Sequence, residues 1–184
     1  MRPAVFLDRD GVISKSIIID GKAYAPRSLK DFELFPNVVK AIKLLKKSSF
    51  LVFVVTNQPD VGNKLMLKSD LDKMHEKLRK KINIDGIMAC THNQIANCSC
   101  RKPKPGMIFK IAKKYKINLK NSFLVGDRAS DIKAGKRAKC KTIFIDRNYK
   151  ETKPTNQDAT FLSLMDAASY IISENFFFNK NAKY

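Results

Sequence analysis

Two aspartates separated by one residue, Asp8 and Asp10, directly follow the apolar run Val5-Phe6-Leu7 and directly precede Gly11. A short apolar run that stops at polar residues and glycine reads as a buried strand ending in a turn. In an open parallel sheet, ligands bind beyond the carboxyl ends of the strands, which puts both carboxylates where a substrate arrives. Taken alone, the same string also fits a strand followed by an ordinary Asp-Gly turn. Other apolar runs end in a similar way. Phe50 to Val55 is followed by Thr56-Asn57-Gln58-Pro59, Ser122 to Val125 by Gly126-Asp127 with Asp131 beyond, and Lys102 lies in the loop after the run Ile84 to Ala89. Gathered at one sheet edge, Asp8, Asp10, Thr56, Lys102, Asp127 and Asp131 form a phosphoryl-transfer set. Carboxylates from separate strands can hold Mg²⁺ together with water and substrate phosphate, and a further carboxylate can attack phosphorus. The Thr56 hydroxyl and the Lys102 ammonium can stabilise the equatorial oxygens of the transferring group.

A second constellation is Cys90-Thr91-His92 followed by Cys98-Ser99-Cys100. Three thiolates and one imidazole within residues 90–100 match a closed tetrahedral Zn²⁺ site, and a closed site is structural. It would pin the loop that leads into Arg101-Lys102. The bland alternative is a loop of reduced cysteines. Cys140 reads as a packed thiol, Met74 as core, and His75, on a lysine-rich helix without an identifiable partner, as structural.

These groups need a scaffold that delivers several strand ends to one place. Residues 14–36 lack a long helical period and predict a loop or small flap, with Asp20-Gly21 able to turn a hairpin. Helical spacing of apolar residues predicts a helix over 38–47 with Asn37 as N-cap, and another over 69–81 with Ser69 as N-cap. Strands are expected at 50–55, a central one by its unbroken apolarity, and at 84–89, 122–125 and 142–145. Further helices are expected at 107–115, 132–138 and 165–172. Strands alternating with helices predict an α/β fold, a doubly wound, Rossmann-like parallel sheet with helices on both faces. The run Phe176-Phe177-Phe178 is expected either to cap the core or to fray.

At 184 residues with 44% hydrophobic content, the chain is expected to form a single domain over 1–184, with no apolar run near the roughly 18 residues of a membrane span. The first strand begins so close to Met1 that no signal peptide is expected, and a cytoplasmic monomer follows. The net charge of +19 comes from 36 basic and 17 acidic residues. Its lysines are spread over the expected helices, as in Lys40, Lys43, Lys46 and Lys47, so solvated helix faces account for them. Such a field still attracts phosphates.

Four stretches together resemble the ordered motifs of the haloacid dehalogenase superfamily of phosphatases: Asp8-Arg9-Asp10-Gly11-Val12, Val55-Thr56-Asn57-Gln58, Arg101-Lys102-Pro103-Lys104-Pro105-Gly106-Met107 and Val125-Gly126-Asp127-Arg128-Ala129-Ser130-Asp131. Four motifs in order are far more specific than any one of them. Within the superfamily the chain is similar to the subfamily IIIA branch of histidinol phosphatases and heptose-bisphosphate phosphatases, which lacks a large cap domain and carries a zinc loop. The resemblance implies that Asp8 is the nucleophile and Asp10 the general acid and base. It implies that Thr56 and Lys102 hold the phosphoryl group, and that Asn57, Arg101 and Arg128 touch substrate. It implies Mg²⁺ on Asp8, the backbone carbonyl of Asp10, Asp127 and Asp131, and Zn²⁺ on Cys90, His92, Cys98 and Cys100. Tyr24 is similar to a substrate-loop tyrosine of that branch. The short His92-to-Cys98 gap is similar to the histidinol-phosphatase loop, whereas the Pro-Gly-Met after Lys102 is closer to the heptose version. After Thr56-Asn57-Gln58 the chain departs from the heptose pattern: Pro59-Asp60-Val61-Gly62-Asn63-Lys64 lacks that pattern's arginine and introduces Asp60.

The expected activity is therefore Mg²⁺-dependent hydrolysis of a small phosphorylated substrate, foremost the 7-phosphate of a heptose 1,7-bisphosphate. Histidinol phosphate and a polynucleotide 3′-phosphate are the alternative substrates. Against a nucleic-acid partner, no aromatic residues interleave with the basic ones to stack on bases. A zinc-stabilised binding module without turnover would have no use for both Asp8 and Asp10.

Overall fold

Strand β1 (Ala4–Leu7) is buried along its whole length and lies between two parallel neighbours, so both of its faces demand apolar side chains. The computed structural model describes the backbone of residues 1–181 and the side chains of residues 1–174. After β1 come a hairpin of β2 (Ile17–Ile19) and β3 (Lys22–Tyr24), helix α1 (Val38–Lys47), β4 (Leu51–Asn57), the short α2 (Pro59–Gly62) and α3 (Lys68–Lys81). Next are β5 (Gly86–Cys90), α4 (Gly106–Tyr115), β6 (Phe123–Gly126), α5 (Ala129–Arg137), β7 (Lys141–Ile145), β8 (Ala159–Phe161) and α6 (Leu164–Asn181).

Six strands form one all-parallel sheet in the order β5-β4-β1-β6-β7-β8. The chain leaves β1 toward β4 on one side and returns to β6 on the other, so the crevice beyond the end of β1 is the switch point where this fold binds ligands. Alternate residues of the strands feed two cores. Val5, Leu7, Val52, Val54 and Val125 pack with Leu45 of α1, Met74 of α3 and Ile171 of α6. Phe6, Phe53, Val55 and Leu124 pack with Met107 and Ile111 of α4 and Ala134 of α5. This is the α/β, doubly wound sheet with helices on both faces that the periodicity predicts.

Several local expectations need correction. Asn37 stands at the N-cap of α1 but in the left-handed region (φ 63°), and its side chain makes no capping bond. Ser69 lies inside the first turn of α3, whose N-cap position is Leu67. Helix α5 starts at Ala129 rather than Ile132, and α6 runs well past Ile172. Strand β8 was not foreseen: three partly exposed residues at a sheet edge carry no readable alternation. The Phe176–Phe178 run lies on α6, and its side chains fall outside the described residues. The expected hairpin forms around Asp20-Gly21, both with positive φ (52° and 81°) as a two-residue turn requires. Among the described residues no helix is long and apolar enough to cross a membrane.

Candidate active site

The carboxyl ends of β1, β4 and β6 bring the expected residues to one place. Asp8 continues β1 and its backbone N–H still bonds Val125 O of β6 at 2.9 Å. Asp127 follows β6, and Asp131 sits in the first turn of α5, where its carboxylate accepts the Arg128 N–H at 3.1 Å. Oxygens of Asp8, Asp127 and Asp131 lie within 4.8 Å of one another, and all three residues are buried. Gly11 permits this approach: its φ is +86°, and a Cβ there would stand 1.8 Å from Asp127 Oδ2.

Lys102 is delivered by the loop between β5 and α4. Its Nζ is 2.9 Å from Asp8 Oδ1 and 2.5 Å from Asp131 Oδ1, and it donates to Val55 O at 2.9 Å. Two ion pairs and one hydrogen bond compensate the charge of the buried ammonium. The backbone of Lys102 is fixed by Asn57, whose amide donates to Lys102 O and accepts from Lys102 N, both at 3.0 Å. Asn57 thus serves Lys102 as well as lining the cleft.

Burial pushes the Asp8 carboxyl up to about 6; Lys102 opposes this, and the charges of Asp131 and Asp10 reinforce it. Asp127 is raised well above the carboxylate range, first by burial and then by Asp8 and Asp131. For Lys102 burial acts downward, yet Asp131 and Asp8 overcome it and the net shift is upward. Among the described residues neither carboxylate oxygen of Asp127 has a hydrogen-bond partner. Two orphaned buried oxygens beside two more carboxylates fit a hard divalent cation with oxygen ligands, which would supply the missing interactions.

Asp10 faces differently. Its carboxylate accepts Arg9 Nε at 2.9 Å, Arg9 Nη2 at 2.7 Å, Ser14 Oγ at 2.9 Å and Gln58 Nε2 at 2.8 Å. Gln58 Nε2 also donates to the buried Thr56 Oγ1 at 2.9 Å. Arg9, Ser14 and Gln58 were not singled out by sequence reasoning, although Arg9 and Gln58 stand inside the quoted motifs. His75, expected to be without a partner, is buried with Nε2 3.4 Å from Arg9 Nη1.

Asp8, Asp10, Thr56, Lys102, Arg101 and Arg128 open into one cleft of about 430 Å³. Among the described residues Arg101 Nη1 is buried without a hydrogen-bond partner, and Arg128 lies 3.3 Å from Glu151. The flap contributes Tyr24 and Arg27, and the segment after β4 contributes Asp60 and Asn63. Alongside, Cys90, His92, Cys98 and Cys100 cluster with their ligand atoms within 4.8 Å of one another, and the buried Cys140 stands apart from them. Cys90 Sγ to Cys98 Sγ is 3.5 Å and Cys100 Sγ to His92 Nδ1 is 3.3 Å, a donor set that suits Zn²⁺. The loop that carries Cys98 and Cys100 runs so close to α4 that a Cβ at Gly106 would lie 2.3 Å from Ser99 O.

A family model described as polynucleotide kinase 3 phosphatase matches residues 5–177. The chain belongs to this family, within the haloacid dehalogenase superfamily. Its members are phosphatases, and the chain is accordingly a phosphoric monoester hydrolase. The chain is 36% identical over 144 residues to a D-glycero-beta-D-manno-heptose-1,7-bisphosphate 7-phosphatase of Helicobacter pylori, covering 75% of this chain and 80% of that one. A D-glycero-alpha-D-manno-heptose-1,7-bisphosphate 7-phosphatase of Campylobacter jejuni is 35% identical over 147 residues, covering 77% and 81%. Among solved structures of this phosphatase fold, D,D-heptose 1,7-bisphosphate phosphatase from B. bronchiseptica, complexed with magnesium and phosphate, superimposes with a TM-score of 0.80 at 26% identity. That superposition covers 94% of this chain and 99% of the other.

Proposed function

We propose that the protein removes the 7-phosphate of a heptose 1,7-bisphosphate through an aspartyl-phosphate on Asp8, with Mg²⁺ as cofactor. The observation that carries the mechanism is the buried Asp8 at the cleft floor, 2.9 Å from Lys102 Nζ and within 4.8 Å of the Asp127 and Asp131 carboxylates. The heptose substrate is supported by the names of the relatives, and a cleft of about 430 Å³ suits a small ligand.

In this reading an Asp8 oxygen attacks phosphorus while Lys102 and Thr56 hold the equatorial oxygens. Asp10 gives its proton to the leaving alkoxide, and then takes one from the water that attacks the aspartyl-phosphate. Asp8, Asp127, Asp131 and the Asp10 carbonyl would hold the Mg²⁺, which would neutralise charge on the transferring group. Cys90, His92, Cys98 and Cys100 would hold Zn²⁺, which would fix the loop that carries Arg101 and Lys102. Arg27, Arg101 and Arg128 around the mouth suit a substrate with a second anionic group.

Phosphate release is measured with and without Mg²⁺ on both anomers of heptose 1,7-bisphosphate, histidinol phosphate and a 3′-phosphorylated oligonucleotide. Mg²⁺-dependent preference for a heptose bisphosphate is the expected result. Preference for the oligonucleotide would instead favour the second reading, which the family model's description and the charge of +19 support.

A further inference from the structure

Arg9 is completely buried, although a buried guanidinium is costly unless its charge and donors are met. Its Nε and Nη2 form a two-pronged fork on the two oxygens of Asp10, at 2.9 and 2.7 Å. The remaining terminal nitrogen faces His75 Nε2 at 3.4 Å, and the guanidinium lies over the Phe32 ring, 5.3 Å from its centroid. His75 suits an acceptor here, since burial, Arg9 and Arg79 lower its pKa to about 4 and keep the imidazole neutral. Phe32 comes from the flap, His75 from α3 and Asp10 from the end of β1, so three separate elements converge on one planar group. A planar fork transmits direction as a flexible lysine would not.

We infer that Arg9, bracketed by Phe32 and His75, is the positioning residue that aims the Asp10 carboxylate for both half-reactions. The inference rests on the reading of Asp10 as acid and base given above. In the first half-reaction the Asp8 Oδ–P bond forms, the P–O bond to the leaving group breaks, and the alkoxide takes the Asp10 proton. In the second, a water oxygen bonds phosphorus, its proton passes to Asp10, and the Asp8 Oδ–P bond breaks to release phosphate. Each Asp10 oxygen also accepts a second donor, Ser14 Oγ on one and Gln58 Nε2 on the other. Each step therefore needs one of these weaker bonds to open, while the fork keeps the direction of the carboxylate.

The test uses Arg9→Gln and His75→Ala in the full-length, metal-loaded protein, with p-nitrophenyl phosphate and an alkyl phosphate as substrates. p-Nitrophenolate leaves without being protonated, so phosphorylation of Asp8 by this ester bypasses Asp10, whereas hydrolysis of the aspartyl-phosphate does not. Arg9→Gln is expected to give a stoichiometric burst of p-nitrophenolate at close to the wild-type rate, then steady turnover about 100-fold slower. The alkyl phosphate slows about as much and shows no burst. A merely structural defect lowers the burst and the turnover together, and that result in a folded variant would overturn the inference, as would wild-type turnover. If Arg9→Gln does not fold, His75→Ala decides: the same signature at about tenfold supports the inference, and unchanged kinetics reject it. Wild-type protein that releases phosphate from neither ester, nor from a heptose 1,7-bisphosphate, would sink the phosphatase mechanism itself, whereas normal wild-type turnover with unaltered variants removes only the role of Arg9.

Discussion

Arg27 Nε donates to Asp60 Oδ2 at 2.7 Å across the mouth of the cleft, tying the flap to the first turn of α2. Asp60 belongs to the stretch that departs from the heptose-phosphatase pattern, and it holds an arginine supplied from elsewhere in the chain. Among the described residues only Nε is engaged, which leaves the two terminal nitrogens of Arg27 for an anion. Arg27→Ala is expected to raise KM for a sugar bisphosphate about tenfold, the effect of losing one charge-assisted contact at a partly exposed site. KM for a monophosphate should stay within about twofold of wild type. Steady-state kinetics on the two substrates checks this, and equal effects on both would remove Arg27 from substrate recognition.

Asp8→Asn should lower turnover by about 10³-fold or more, because it replaces the attacking carboxylate oxygen by an amide. Circular dichroism and zinc content should remain those of the wild type. Retained phosphate release in the folded variant would rule out the aspartyl-phosphate route.

Cys98→Ser removes one ligand from a set whose atoms lie within 4.8 Å of one another. Metal binding at such a site contributes to folding, so the variant should lose its zinc by elemental analysis and melt roughly 5–10 °C lower. Turnover should fall with it, since the same loop carries Lys102. Unchanged zinc content would count against the closed tetrahedral site.

His75 has a pKa of about 4 in the fold against an ordinary value of 6.5. Between those values the unfolded chain binds a proton that the native state refuses, so stability falls as pH drops from about 6.5 to about 4, by on the order of 2–3 kcal/mol. His75→Gln keeps an acceptor for Arg9 but does not titrate. Its stability, measured by urea unfolding across that window, should decline less steeply than that of the wild type. Parallel curves for the two proteins would show that His75 is protonated in the native state.

The motifs were legible because the signals are local. An apolar run ending in Asp8-Arg9-Asp10-Gly11 states both that a strand stops and which groups stand at its tip, and the same holds for Thr56 and Asp127. Cys90, His92, Cys98 and Cys100 fall within residues 90–100, from the last residue of β5 into the loop after it, so spacing alone brought out the candidate metal site. Helix starts were read less well: Asn37 and Ser69 have suitable side chains, but the turns preceding the helices set the backbone angles there.

The sequence by itself determined the alternation of strands and helices, the parallel sheet and the set of groups delivered to its edge, because side-chain periodicity reports which faces must be buried. Only the tertiary structure decided which charge meets which. Arg9 and His75 are 66 residues apart and Arg27 and Asp60 are 33 apart. Asp131 also fits a solvated position in the first turn of a helix, and it is packing that sinks it beside Lys102 and Asp127. A charged side chain finds its partner through the packing of whole elements, and no local pattern in the chain encodes that choice.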